Sequence, residues 1–191
     1  MYYLVNEWSL DDERLRKDLE QIGLSIQSLQ LENILDSIFF NQKVDSPLHM
    51  TSLPLPPFWE VCANGDIVSD GMKRGKIDCF QDHPQRVEKV DWYDPDGHCS
   101  VSDHYDRSGS LFLKEVWSAN ERHLSIYTND RMGKLYLFHQ HDRAIYQAID
   151  GLEQGFSSIE EAKKVLLQEA LLQAETVFLS DPELLKALPK L

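Results

Sequence analysis

Few residues in this chain are spaced for chemistry, and each candidate set has a simpler use. Asp94-Pro95-Asp96 has the D-x-D spacing with which two carboxylates hold a divalent cation and a nucleotide diphosphate. It also sits in a Pro-Asp-Gly run, where Asp hydrogen-bonds turning backbone and Gly supplies positive φ, and that predicts a turn. His139 and His141 would share one face of a strand. A metal would need a third ligand, and no Cys, Glu or further His is suitably placed, so the pair reads as a solvated strand end. Asp103-His104 and Asp82-His83 set acid beside base, yet neighbours on a regular strand point to opposite faces and cannot touch. Gly71-Met72-Lys73-Arg74-Gly75-Lys76 is one residue short of a phosphate loop between its glycines and lacks Ser or Thr after the lysine. No G-x-G-x-x-G, G-x-S-x-G or H-E-x-x-H occurs. The expectation is no catalytic residue, no cofactor and no metal site.

What the chain does specify is strands. Asp91-Trp92-Tyr93-Asp94-Pro95-Asp96-Gly97 and Asp103-His104-Tyr105-Asp106-Arg107-Ser108-Gly109 both read D-x-Y-D-x-x-G, 12 positions apart (103 − 91). Asp followed three residues later by Gly suits a turn, so the repeat spells strand, turn, strand, turn. Phe58 to Cys62 leads into Asn64-Gly65, a strong hairpin signal, and Asp66-Ile67-Val68 returns. Further strands fit at 76–80, 86–93, 98–105, 111–117, 124–128 and 134–139, the spacing of an antiparallel meander. Simple alternation puts Leu111, Leu113 and Trp117 on one face and Phe112 and Val116 on the other. A sheet apolar on both faces must cover the second with its own chain or with another protein.

The flanks read as alternating strand and helix. Tyr2 to Val5 form a short strand; Ser9 caps a helix carrying Leu15, Leu19 and Ile22 and ending at Gly23; Leu24, Ile26, Leu29 and Leu31 suggest a second strand. Ile34 to Phe40 fits a short helix or a buried strand. Leu53-Pro54-Leu55-Pro56-Pro57 marks entry to an insertion, because proline cannot donate to a ladder. After the meander, Ser157 or Ser158 caps a helix with Ile159, Ala162, Leu166 and Ala170 on one face. Thr176 to Leu179 form a strand of parallel-sheet type, and Asp181-Pro182-Glu183 opens a short helix. The fold class expected is α/β with an inserted antiparallel meander. The expected domains are 1–50 as the first part of a Rossmann-like lobe, 51–141 as the inserted sheet and 142–191 as the return to that lobe, which looks interrupted.

Composition narrows the function. A net charge of −13 over 191 residues disfavours a phosphate backbone as partner. No stretch approaches the ~20 apolar residues of a spanning helix, and the start lacks the basic segment of a secretory signal, so the chain is expected in the cytosol. Cys62, Cys79 and Cys99 have no C-x-x-C spacing and read as reduced core thiols.

Four strings carry a family resemblance: Pro47-Leu48; Leu53-Pro54-Leu55-Pro56-Pro57-Phe58-Trp59-Glu60-Val61; Lys89-Val90-Asp91-Trp92-Tyr93-Asp94; and Ser102-Asp103-His104-Tyr105-Asp106-Arg107-Ser108-Gly109. Over about residues 47–140 the chain resembles the stabilising subunit of the bacterial protein O-GlcNAc transferase of the accessory Sec system, which glycosylates and exports serine-rich repeat adhesins. The resemblance implies a partial GT-B (Rossmann-like) amino-terminal lobe with an extended β-sheet domain. It further implies a non-catalytic subunit that pairs with a catalytic glycosyltransferase, helps hold the Ser/Thr-rich acceptor polypeptide, and is cytoplasmic or held at the inner membrane face through its partner. If the sheet is the docking surface, Trp59, Trp92, Tyr105 and Trp117 are the expected partner-binding anchors, and they are equally suited to a core. The alternative is the amino-terminal region of an active GT-B transferase of the wall teichoic acid (poly-polyol-phosphate) type whose sheet mediates self-association. A weaker one is a YD-repeat surface protein.

Overall fold

The structure is a computed structural model that describes residues 2–5, 27–30, 33–40, 46–172 and 177–179. The expected helices after Ser9 and after Asp181 lie outside the described residues. The chain divides into two compact units, Met1–Ile38 with Glu160–Leu191, and Phe39–Ile159.

In the first unit three short strands are parallel. β1 (Tyr2–Val5) lies between β2 (Gln27–Gln30) and the strand Val177–Leu179, in register Tyr2 with Gln27 and Tyr2 with Val177. The ambiguous segment after Asn33 is the helix α1 (Ile34–Phe39). Ile159–Leu172 form α2, with Glu160 and Glu161 complementing the dipole of its first turn. Ala162, Leu166 and Ala170 are buried as their spacing predicts, together with Leu167 and Leu171. Among the described residues, no helix is long and apolar enough to cross a membrane.

The second unit is a ten-stranded antiparallel meander in which every strand pairs with its sequence neighbours. Its strands are β3 (Glu60–Val61), β4 (Asp66–Ser69), β5 (Met72–Cys79), β6 (Val87–Tyr93), β7 (Cys99–Tyr105), β8 (Leu111–Ser118), β9 (Glu121–Asn129), β10 (Gly133–Phe138), β11 (Arg143–Ala148) and β12 (Glu153–Phe156). The run of strands therefore extends two beyond residue 139, where the alternation left off. β12 is polar and contains Gly155, so it carries little period-2 signal. β5 also starts earlier than expected: Asp70 and Gly71, at φ 53° and 72°, form the two-residue turn that enters it. The run resembling a phosphate loop is thus turn and strand.

Both copies of the repeat fold alike. In the first, Asp94 Oδ1 accepts from Asp96 N at 3.0 Å and His98 N at 2.9 Å; in the second, Asp106 Oδ1 accepts from Ser108 N at 2.9 Å and Ser110 N at 3.0 Å. Gly97 and Gly109 close these turns at φ 86° and 82°. Their surroundings differ. A Cβ on Gly97 would meet nothing within 4 Å, whereas one on Gly109 would lie 2.6 Å from both Ser46 O and Leu48 N. The second turn is seated on the segment that leads into the sheet.

That segment covers part of one face. Leu53, Ile67, Ile77, Val87 and Val90 form a buried cluster, with Leu48, Met50, Leu55, Trp59, Trp92 and Tyr105 packed against it. Burying a residue such as Val90, 0 % exposed, contributes about 1.5–3 kcal/mol. The proline-rich stretch thus lies against β4–β7 rather than standing free of the sheet. On the opposite face the buried side chains belong to the later strands: Leu113, Tyr127, Leu135, Leu137, Ala144 and Phe156. Phe39 packs on Tyr127 at 5.3 Å and Phe40 on Phe112 at 5.1 Å between ring centroids.

Candidate functional site

The two faces of the sheet follow from register, since residues paired across an antiparallel ladder share a face. Asp103, Lys114, Ile126, Tyr136 and Ile145 are successive partners across β7–β11, and Trp92, Val101, Val116, Leu124, Phe138 and Arg143 form a parallel row across β6–β11. Where β4–β7 carry these rows, the entry segment covers them. Beyond β7 it does not. Val116, Leu124, Ile126, Tyr136 and Phe138 are only half-buried and Ile145 is 38 % exposed, while their immediate neighbours Ser125, Tyr127, Leu135 and Leu137 on the other face are buried. One face of β8–β11 is therefore sealed, and the other is an apolar surface open to solvent among the described residues. Lys134 and Arg143 stand exposed at its margin.

Bulges decide which residues belong to it. The register slips between His104 and Tyr105, so Phe112 and Leu113 both lie opposite His104. Phe112 accordingly joins Leu113 on the sealed face, at 7 % exposure, and Leu111 pairs with Tyr105 on the open one. This corrects the expectation from simple alternation, which cannot register an extra residue.

The four aromatics expected as anchors fall into two places. Trp59 and Trp92 pack on each other at 6.4 Å between ring centroids, and with Tyr105 they border the buried cluster under the entry segment. Trp92 Nε1 donates to Asp103 Oδ2 at 2.8 Å, and Asp103 is ion-paired with Lys114 at 2.6 Å. Burial pushes the Tyr105 phenol up to about 12, with the Asp103 charge adding to the effect. Trp117 lies on the other face, beneath the Arg122 guanidinium at 6.0 Å. The aliphatic members of the open face, Ile126 above all, carried no sequence signal beyond alternation.

The remaining polar candidates are engaged in structure. Asp103 and His104 point to opposite faces as expected. His104 Nε2 lies 3.0 Å from Glu115 Oε2 and Arg122 donates to Glu115 Oε1 at 2.5 Å. Asp82 and His83 lie in a turn, not a strand, and approach to 3.9 Å, while Asp82 pairs with Arg107 at 2.8 Å. His139 and His141 sit in one 3-10 turn rather than at the end of a flat strand, and His139 Nε2 meets Ser125 Oγ at 2.8 Å. Asp94, of the D-x-D string, is committed to its turn. Cys62 is exposed, which corrects its assignment to the core, while Cys79 and Cys99 are half-buried. Among the described residues no group of three His, Cys, Asp or Glu is placed to hold a metal ion.

Glu115 is a buried charged group on the sealed face. Burial, at 7 % exposure, works to raise its pKa, but the contacts with His104 and Arg122 outweigh that and hold it below the ordinary 4.5. A carboxylate held below its unfolded value stabilises the fold above about pH 4.5 and loses that contribution as pH falls through the lower folded pKa. The advantage of the native chain over Glu115→Gln in urea unfolding is therefore expected to be larger at pH 6 than at pH 3. A difference independent of pH would contradict the assignment.

Known proteins match the chain across this sheet. The family described as the GtfB middle domain matches residues 59–156. The UDP-N-acetylglucosamine–peptide N-acetylglucosaminyltransferase stabilizing protein GtfB of Streptococcus gordonii is 34% identical over 82 residues, 41% of this chain and 18% of that protein. The protein of the same name from Streptococcus parasanguinis is 30% identical over 144 residues, 67% of this chain and 32% of its own. Among solved structures, the crystal structure of the GtfA/B complex bound to UDP and GlcNAc matches with a TM-score of 0.72 at 19% identity, covering 95% of this chain and 44% of that chain. The crystal structure of accessory secretory protein 1, 2 and 3 in Streptococcus pneumoniae matches at 0.59 and 10% identity, covering 92% and 46%. These structural likenesses establish the fold. The chain spans about a third or less of the length of these two curated relatives.

Proposed function

The chain belongs to the GtfB middle-domain family, and from that premise we propose that it is the sheet-bearing part of a non-catalytic stabilising subunit for a bacterial glycosyltransferase. The transferase places N-acetylglucosamine on serine-rich repeat adhesins, and this subunit steadies the catalytic one and takes part in recognising the Ser/Thr-rich acceptor polypeptide. The names of the relatives support the stabilising role. The observation that carries the reading is the open apolar face of β8–β11, since a sheet that seals one face and leaves the other apolar to water is suited to a partner. Val116, Leu124, Ile126 and Tyr136 form the centre of the seat. Trp92 and Tyr105, at the covered margin of the same face, extend it, with Trp59 behind Trp92. Trp117 offers a separate contact on the opposite face. The parallel strands β1, β2 and Val177–Leu179 belong to a Rossmann-like GT-B lobe into which the sheet is inserted, and the complex works in the cytoplasm, reaching the inner membrane face through its partner.

Co-expression with the catalytic subunit tests this reading. The two are expected to co-elute in gel filtration, and the soluble yield of the catalytic subunit should rise severalfold. A chain that elutes alone and leaves that yield unchanged would overturn it.

A further inference from the structure

The sheet ends on β12, whose outer edge the open face leaves unused. Glu153, Gln154 and Gly155 are all exposed, and among the described residues β12 pairs on one side only, with β11. The ladder fixes which backbone groups face outward. Ala148 N donates to Leu152 O at 2.9 Å. Antiparallel pairs alternate between bonded and non-bonded, so Gln154 and Phe156 turn their N–H and C=O groups toward Tyr146 and Ala144, and Glu153 and Gly155 turn theirs outward.

Proteins usually blunt such an edge with lysine, proline or a bulge. β12 reads Glu153-Gln154-Gly155-Phe156 and its pairing with β11 shows no register shift. Beside it runs an open groove of about 770 Å³, lined in part by Phe138, His141, Arg143, Ile145 and Gly155. The hairpin also carries Ile145, Ile149 and Leu152, at 38 %, 61 % and 71 % exposure. Outside the adjacent residues no atom lies within 4 Å of where a side chain on Gly155 would begin, so the sheet face is open at this position.

We propose that an extended segment of the acceptor polypeptide binds by adding an eleventh strand to β12. Its backbone bonds the outward groups of Glu153 and Gly155, and alternate side chains lie on the face that carries the groove, over the open space at Gly155. This rests on the acceptor-recognition role given above. Strand addition draws its affinity from main-chain hydrogen bonds, which suits a low-complexity peptide with little side-chain variety. A second copy of this chain fits less well, because two chains of net charge −13 repel.

The test titrates a fluorescein-labelled twelve-residue Ser/Thr peptide into the full chain and into Gly155→Pro and Gly155→Ala. Proline deletes one outward N–H and spares those that face β11; alanine keeps it. Native chain and Gly155→Ala should bind, and Gly155→Pro should lose at least tenfold, with all three melting together and co-eluting equally with the catalytic subunit. Methylating alternate peptide nitrogens should abolish binding in one phase and spare it in the other. Equal binding by Gly155→Pro, or equal binding by both methylated peptides, would overturn the proposal. So would a native chain that co-elutes with the catalytic subunit yet ignores millimolar peptide, or a chain dimer that Gly155→Pro dissolves. Loss of peptide binding and co-elution together would instead defeat the functional reading beneath it.

Discussion

Ile126→Asp is expected to release the chain from the catalytic subunit proposed as its partner while leaving the fold intact. Ile126 pairs with Lys114 on one side and Tyr136 on the other, at the centre of the open face. A carboxylate there would be buried without a partner once the complex formed, and truncating or charging a central anchor costs about 2–4 kcal/mol, roughly 30- to 1,000-fold in affinity. In the free chain Ile126 is half-buried among its neighbours on that face, so the substitution should cost about 1–2 kcal/mol through lost packing and strand preference. The adjacent residue supplies the contrast. Tyr127 is 8 % exposed and packs on Phe39, so Tyr127→Ala should weaken folding by about 2–4 kcal/mol through cavity formation. Gel filtration with the catalytic subunit, paired with thermal melts, separates the two effects. If Ile126→Asp kept full affinity, the seat would lie elsewhere.

Gly109→Ala is expected to destabilise the fold by about 3 kcal/mol or more, and Gly97→Ala by about 1 kcal/mol, although the two positions are equivalent in the repeat. Both glycines have left-handed backbone, where a Cβ costs about 1–2 kcal/mol. Only at Gly109 would the new atom also lie 2.6 Å from two backbone atoms of the entry segment, which cannot swing aside as a side-chain tip can. The segment would have to lift, exposing Leu53 and the cluster beneath it. Urea unfolding of the two variants measures the difference. Equal losses would mean that the entry segment is not clamped by the second turn.

The meander was legible in the sequence because its turns are written in chemistry that acts locally. Asn64-Gly65 predicted a hairpin, and Gly65 N donates to Cys62 O at 2.9 Å within one; the two D-x-Y-D-x-x-G copies predicted turns, and Asp94 and Asp106 cap them. The family resemblance carried by Pro47-Leu48, Leu53–Val61, Lys89–Asp94 and Ser102–Gly109 is likewise borne out by the family match at residues 59–156 and by the relatives named as stabilizing proteins. What escaped the sequence was decided at long range. β11 and β12 are held by register with β10 rather than by strong alternation of their own. The slip at His104 moves Phe112 to the sealed face, and nothing in the local pattern announces it. Trp59 and Trp92, expected as anchors, pack at the border of the chain's own core, and the sequence did not single out Val116, Leu124, Ile126 and Tyr136 as anchors on the open face. Those residues resemble any strand interior until the covering segment is seen to stop at β7.

The most direct measurement is calorimetric titration of the chain into the catalytic subunit across temperature and salt. An apolar seat predicts binding with a clearly negative heat-capacity change and an affinity that shifts little between 50 and about 500 mM salt, because exposed charge pairs are screened and apolar contacts are not. Absence of binding, or binding with no heat-capacity change that collapses in salt, would contradict the claim that the open face of β8–β11 is where the second polypeptide sits.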